Sequence, residues 1–355
     1  MSVPLVLSPL LGLPEVVAGD DLAALLSPRL AGADEPVVLV VSSKVVSKAL
    51  GLTAPASSRA AVVDAETVRV VAERRAGERV TRVVESAAGP VMAAAGVDAS
   101  NVGVGEVVLT LPRDADREAA QLRRRLLHLL GRPDSAPLGI VVSDTAGRPW
   151  RAGLTDFALG SAGVLTQLDH RGEADADGRP MVVSVRCLVD ELAAAADLVK
   201  GKNASVPAAL VTGLASACFA ADAPGARSLV RTGPSDWFAL GHVEAVRAAL
   251  GVLPGSADSA DVGLPPVGEP DAVMDRVQRA VALACHGEGD DVTVAAHAVT
   301  AGARVVLSGA DAYALGRRVA RLEVALWAEG LAVAALPAPT TTSGRQELAL
   351  EIVER

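Results

Sequence analysis

Cysteine is scarce in this chain of 355 residues: Cys187, Cys218 and Cys285 are odd in number, far apart, and none belongs to a CxxC pair. That usage excludes a disulfide framework and a thiolate zinc site, and it fits reduced thiols in a cytoplasmic setting. Cys285 stands beside His286, but the pair is solitary. Long apolar runs are missing as well, since the alanine-rich stretches are broken by Asp, Arg, Glu or Pro, so no membrane partner is expected. The apolar N-terminus lacks a basic region and is interrupted by Pro4, Pro9 and Pro14, unlike a signal peptide. There is no basic excess either. Acidic residues outnumber basic ones by 42 to 33, for a net charge of -9, so nucleic acid is not an expected partner. The cluster Arg123-Arg124-Arg125 reads instead as the solvated face of a helix.

What is present suffices for two cores, because 50% hydrophobic against 21% charged residues excludes wholesale disorder. Residues 37–41 form a β-branched and aliphatic run that reads as a buried strand and delivers Ser42, Ser43, Lys44 and Lys48 to one end. Lys48 is a candidate phosphate ligand, with a lysine in the first turn of a solvated helix as the competing reading. Residues 104–111 and 138–142 read as further strands. Residues 116–130 place Leu122, Leu126, Leu129 and Leu130 at helical spacing, ended by Gly131, and His128 reads as a boundary-layer residue.

Two polar patches lie at strand edges: Gly96-Val97-Asp98-Ala99-Ser100-Asn101 and Ser143-Asp144-Thr145-Ala146-Gly147-Arg148-Pro149-Trp150. A carboxylate beside a hydroxyl offers the oxygen donors that Mg2+ or Mn2+ prefers, and Arg148 has the chemistry to hold a phosphate or carboxylate bidentately. Each patch alone is equally readable as an Asx turn. The small residues 160–164 suit either close approach to a ligand or a tight packing contact. Asp190 and Glu191 open an alanine-rich helix, where the helix dipole favours them as much as a metal would. Lys200, Gly201, Lys202 and Asn203 close it, where lysines also suit the dipole.

The two patches resemble signature segments of the coenzyme F420-0 gamma-glutamyl ligase family, and further blocks stand in the family's order. These are Gly12-Leu13-Pro14-Glu15 with Gly19-Asp20-Asp21-Leu22, the run 42–49, Asp169-His170-Arg171-Gly172, Asp177-Gly178-Arg179 and the segment 190–202. Leu50 departs from the family pattern, which usually has glutamate there. The resemblance implies a GTP-dependent ligase that joins L-glutamate to the coenzyme F420 precursor, then adds gamma-linked glutamates, through an acyl phosphate. It implies Mn2+ or Mg2+, with K+ as a further cation, and a homodimer. Carried over by motif, Asp98, Asp144 and Thr145 are metal ligands, and Leu13, Pro14, Glu15 and Val16 line the base or ribose. Ser43, Lys44, Lys48 and Asn101 contact the nucleotide, and Lys200, Gly201, Lys202 and Asn203 close over its phosphates. Asp98 and Asp144 are thereby catalytic, and Arg148 joins them on its chemistry alone. Two other readings stay open: a related GTP-dependent amide ligase with another carboxylate acceptor, and a non-catalytic nucleotide-binding assembly protein.

The expected architecture is α/β: a mixed-sheet ligase domain over 1–245, a Pro- and Gly-rich linker over 246–270, and a small α/β accessory domain over 271–355. That tail is too short for a complete nitroreductase-like flavin domain and reads as a reduced or unrelated one. Its last helix carries Leu315, Val319, Leu322, Val324 and Leu326, an apolar surface that needs a cover.

Overall fold

The computed structural model describes residues 4–33, 36–100, 106–201, 204–300 and 302–355. The chain divides into two compact units, one of residues 1–68 and 85–232, the other of residues 69–84 and 233–355. The fold is α/β.

The first unit is built on β1 (Val6–Pro9), α1 (Leu22–Leu30), β2 (Val37–Ser42), α2 (Ser43–Ala49), α3 (Ala115–Leu129), β3 (Leu138–Arg148), β4 (Arg151–Ala162), α4 (Leu188–Lys200) and β5 (Ala208–Thr212). Its sheet has the order β1-β5-β2-β3-β4. β2 and β3 are parallel, and the other neighbours are antiparallel, so the sheet is mixed. The continuous apolar run of β2 follows from burial on both faces. Its alternate residues Val37, Leu39 and Val41 join Leu138, Ile140 and Val142 of β3 under Leu26 and Leu30 of α1 and Leu126 and Leu127 of α3. Val38 and Val40 point the other way, with Val141, onto Leu188, Val189 and Leu192 of α4. Each such side chain, fully withdrawn from water, contributes roughly 1.5–3 kcal/mol before conformational entropy is subtracted.

Two expectations change here. Arg123 is buried, because its guanidinium donates to the carbonyls of Asp134, Ala136 and Leu138 and so closes the chain between α3 and β3. His128 is exposed. The small residues of β4 serve packing: a Cβ on Gly160 would stand 2.3 Å from the carbonyl carbon of Ala115, at the start of α3.

The second unit contains α5 (His242–Ala249), α6 (Ala257–Val262), α7 (Val273–Cys285), β6 (Thr293–Val299), β7 (Gly302–Gly309), α8 (Ala312–Ala328), β8 (Leu331–Val333), β9 (Thr340–Thr342) and β10 (Arg345–Glu354). Its antiparallel sheet runs β6-β7-β10-β8, with β9 on β10. Leu315, Val319, Leu322 and Leu326 of α8 are covered within this unit, by Val277 and Leu283 of α7 and Val305, Leu307, Leu350 and Ile352 of the sheet, while Val324 stays exposed.

The division differs from the one drawn on the sequence. Stretch 246–270 is folded rather than a linker, since Ser256 caps α6 by accepting from the Ser259 amide and Val252 and Val262 are core residues. Residues 69–84 leave the first unit because buried Glu73 accepts from the Ser259 hydroxyl at 2.6 Å and the Gly255 amide at 2.8 Å. Arg75 adds an ion pair to Asp271 at 2.8 Å. Among the described residues no helix is long and apolar enough to cross a membrane.

The Gly160 contact yields a stability prediction. Gly160→Ala forces a methyl into the Ala115 backbone and is expected to cost about 1–3 kcal/mol. Gly147→Ala on β3, whose new Cβ would meet only Leu154 at 3.9 Å, is expected to stay within about 0.5 kcal/mol of wild type. Urea unfolding of both variants checks the difference.

Candidate functional site

β2 and β3 are paired in parallel register to their last residues, so Ser42 stands opposite Ser143. Beyond that point β2 turns directly into α2, with Ser42 as its cap accepting from the Lys44 amide. β3 continues into Asp144 and Thr145. Polar side chains that are 101 positions apart in sequence thus meet, and the Ser43 hydroxyl donates to Asp144 Oδ1 at 2.9 Å. A cavity of about 370 Å³ opens over these strand ends.

Most of the expected binding residues line it. Leu13, Pro14, Glu15 and Val16, on the segment between β1 and α1, form one wall; Lys44 and Lys48 of α2 and Asp144 and Thr145 of β3 form others, and Lys200 and Gly201 of α4 complete it. Asp98 is joined through Lys44, whose Nζ lies 2.5 Å from Asp98 Oδ2. The Asp98 carboxylate also accepts from the amide and hydroxyl of Ser100, an Asx turn that coexists with the site. Lys48 Nζ lies 2.5 Å from Glu15 Oε1, an exposed partner, so this ammonium is at the cavity's rim with its charge only loosely held.

Three expectations look different in place. Arg148 is exposed near the outer end of β3, four residues beyond Asp144, and does not line the cavity. Lys200 is not a free cation over the opening: its buried Nζ donates to Asp156 Oδ2 at 2.7 Å and to the Ser143 hydroxyl at 2.8 Å. Asn101, Lys202 and Asn203 lie outside the described residues. Ser205, with φ 52, lines the cavity in a backbone conformation unusual for a side-chain-bearing residue.

Asp156 is the residue the sequence reading passed over. It sits on β4 opposite Thr145 and accepts from the Thr145 hydroxyl at 2.6 Å and the Ser143 hydroxyl at 2.9 Å. Its signal was a carboxylate between Thr155 and Phe157 inside a long strand, a placement that demands a partner. Asp197 and Ser42, also in the lining, carried no comparable mark.

The three carboxyls have different proton affinities. Burial works to raise that of Asp156, but the Lys200 charge and the hydrogen bonds from Lys200, Thr145 and Ser143 outweigh it and hold the group below the usual range. Burial likewise opposes ionisation of Asp98, and its hydrogen bonds from Lys44 and Ser100, with the Lys44 charge, prevail. Asp144 goes the other way. Burial pushes it up to about 6, the negative charge of Asp156 adds to the push, and the Ser43 hydroxyl and Lys44 charge only partly counter it. Among the described residues no three His, Cys, Asp or Glu side chains close into a metal-binding group. The arrangement is therefore two carboxylates of unequal proton affinity beside a hydroxyl and lysine ammoniums: hard oxygen donors with a deficit of positive charge at Asp144.

That deficit sets a pH prediction. The folded value for Asp144, about 6, lies above its ordinary 3.8, so between these the native state holds a proton that the unfolded chain has released. Above pH ~6 the native state carries the ionised group at a cost of at most about 3 kcal/mol, and the cost vanishes as pH falls below ~4. Asp144→Asn in chelator is expected to melt above wild type near pH ~8 and level with it near pH ~4, measured by calorimetry.

The sequence model of the family described as F420-0:Gamma-glutamyl ligase matches residues 11–213, a stretch that contains every residue lining the cavity. The chain is 40% identical over 212 residues to the coenzyme F420:L-glutamate ligase of Halobacterium salinarum, covering 54% of this chain and 80% of that one. It is 40% identical over 223 residues to the Archaeoglobus fulgidus protein of the same name, covering 58% and 86%. Against the Halorubrum lacusprofundi protein, also so named, identity is 39% over 212 residues, covering 54% and 80%. With a family match of that extent and relatives covered over most of their length, this chain belongs to the F420-0:gamma-glutamyl ligase family and is an amide-bond-forming ligase.

Proposed function

We propose that the chain adds L-glutamate to the coenzyme F420 precursor at the expense of GTP, first to F420-0 and then through gamma linkages. The observation that carries this reading is the cavity at the paired ends of β2 and β3. It gathers Asp144, Thr145, Lys44 and Lys48, and through Lys44 it reaches Asp98.

The chemistry requires such a place. A carboxylate resists attack by an amine because oxide would have to leave. Its oxygen therefore attacks the terminal phosphorus of GTP, the bond from that phosphorus to the bridging oxygen breaks, and GDP departs. The glutamate amine then attacks the acyl carbon, loses a proton, and expels inorganic phosphate. Both steps bring anions together, so positive charge must be held among them.

In this chain Leu13, Pro14 and Val16 offer an apolar wall for the base, and Lys48 and Lys44 offer ammonium groups to phosphate oxygens. Asp98, Asp144 and the Thr145 hydroxyl would hold a Mn2+ or Mg2+ ion. Two carboxylates and a hydroxyl, with substrate phosphate and water completing the shell, are the donor set such cations take. The bound cation supplies charge screening for the transferred phosphoryl group. A purely structural or assembly role leaves unexplained why a carboxyl of raised proton affinity is kept at Asp144. Lys202 and Asn203 remain proposed phosphate contacts, Asn101 a proposed nucleotide contact, and K+ a proposed further cation. A homodimer is proposed too, supported by the exposed Trp150 and Leu154 of the β3–β4 hairpin.

The test is incubation of the purified protein with the deazaflavin precursor, GTP, Mn2+ and glutamate, followed by mass spectrometry. Product gaining one or more glutamyl residues is expected, with GTP more efficient than ATP. Asp144→Asn is expected to reduce turnover by roughly 100-fold or more, the scale of losing a contact to transition-state charge. GTP hydrolysis with no acceptor-linked product, or normal turnover by Asp144→Asn, contradicts the reading.

A further inference from the structure

The buried group beneath the cavity has no place in the reaction just described. Asp156 and Lys200 are each only 4% exposed, they pair at 2.7 Å, and they share the Ser143 hydroxyl. Removing two charges from water is costly, and a purely structural position would be filled as well by apolar side chains. What the pair adds is direction. A hydroxyl has one proton to give, and an ionised carboxylate can only accept. With Asp156 Oδ1 at 2.6 Å, the Thr145 proton is committed to β4, and the Thr145 oxygen is left with lone pairs alone for the cavity it lines.

We infer that Asp156 is a positioning residue for the cation site: by taking the hydroxyl proton of Thr145 it fixes that oxygen as an acceptor toward a divalent cation, while Lys200 neutralises Asp156 so that the device adds no net charge. This rests on the reading of Thr145 as a cation ligand. It gives Lys200 a task inside the fold rather than on a phosphate. Second-layer partners that orient a ligand typically change cation affinity 10- to 100-fold when removed.

Mn2+ binding to the nucleotide-free full chain, followed by electron paramagnetic resonance, tests this apart from turnover. Thr145→Val removes the oxygen and is expected to weaken Mn2+ binding by about tenfold or more. The charge-neutral double variant Asp156→Asn with Lys200→Met keeps Thr145 but frees its proton, and is expected to weaken binding to a similar degree while melting within a few degrees of wild type. Adding Thr145→Val to that double variant is expected to cost little more, because both changes disable one oxygen. Thr145→Ser, which retains the hydroxyl, is expected to keep wild-type affinity. Wild-type Mn2+ affinity in the double variant, with Thr145→Val weakened, overturns the role of Asp156 and leaves Thr145 as a ligand. No effect of Thr145→Val overturns both together. If the double variant fails to fold, Lys200→Gln alone decides. It retains the Asp156 acceptor, so near-wild-type Mn2+ affinity supports the inference, and a tenfold loss overturns it.

Discussion

Because β2 and β3 run parallel with Ser42 opposite Ser143, two stretches of chain a hundred residues apart leave the sheet at the same edge. Side chains within the sheet are closed into two apolar layers, so the strand ends are where polar groups can gather without forfeiting core contacts. β2 spends its last turn on a helix that carries Ser43, Lys44 and Lys48, and β3 contributes Asp144 and Thr145. A one-residue slip of this pair would send Val38 and Val40 toward α1 and separate the Ser43–Asp144 hydrogen bond. Register is thus both a packing and a chemical requirement.

Charge is arranged in two tiers around those ends. The lower tier, Asp156 with Lys200, is neutral, buried and fully engaged with Ser143 and Thr145. The upper tier, Asp98 and Asp144, shares one nearby ammonium, Lys44, and that single charge satisfies Asp98 but not Asp144. An unequal pair of carboxylates beside lysines is a poor stability device and a good receptor for a polyanion that arrives with its own cation.

Much of this was legible in the chain. The runs 37–41 and 138–142 are apolar without alternation, which only strands buried on both faces require, and each ends abruptly in Ser, Asp, Thr or Lys. The resemblance of the ordered blocks to a known family pointed to Asp98, Asp144 and the segment 13–16. Other features depended on information that spacing does not carry. Lys200 looks like any lysine at a helix end, and only Asp156 across the sheet turns it inward. Arg123 reads as one of three solvated arginines until the carbonyls at 134–138 are folded over it. Residues 69–84 carry no mark of joining the second unit, since the Glu73 partners lie some 180 positions away in sequence, at Gly255 and Ser259. Arg148 was assigned on chemistry alone, and its place on the exposed end of β3 removes that argument.

The claim at the centre of this account is that the ends of β2 and β3 form a nucleotide and divalent-cation site. Anomalous diffraction at the manganese edge, from crystals grown with Mn2+ and a non-hydrolysable GTP analogue, addresses it directly. The account predicts a manganese peak in contact with carboxylate oxygens of Asp98 and Asp144, with nucleotide phosphates beside Lys48. Nucleotide bound elsewhere, or manganese remote from both aspartates, would contradict it.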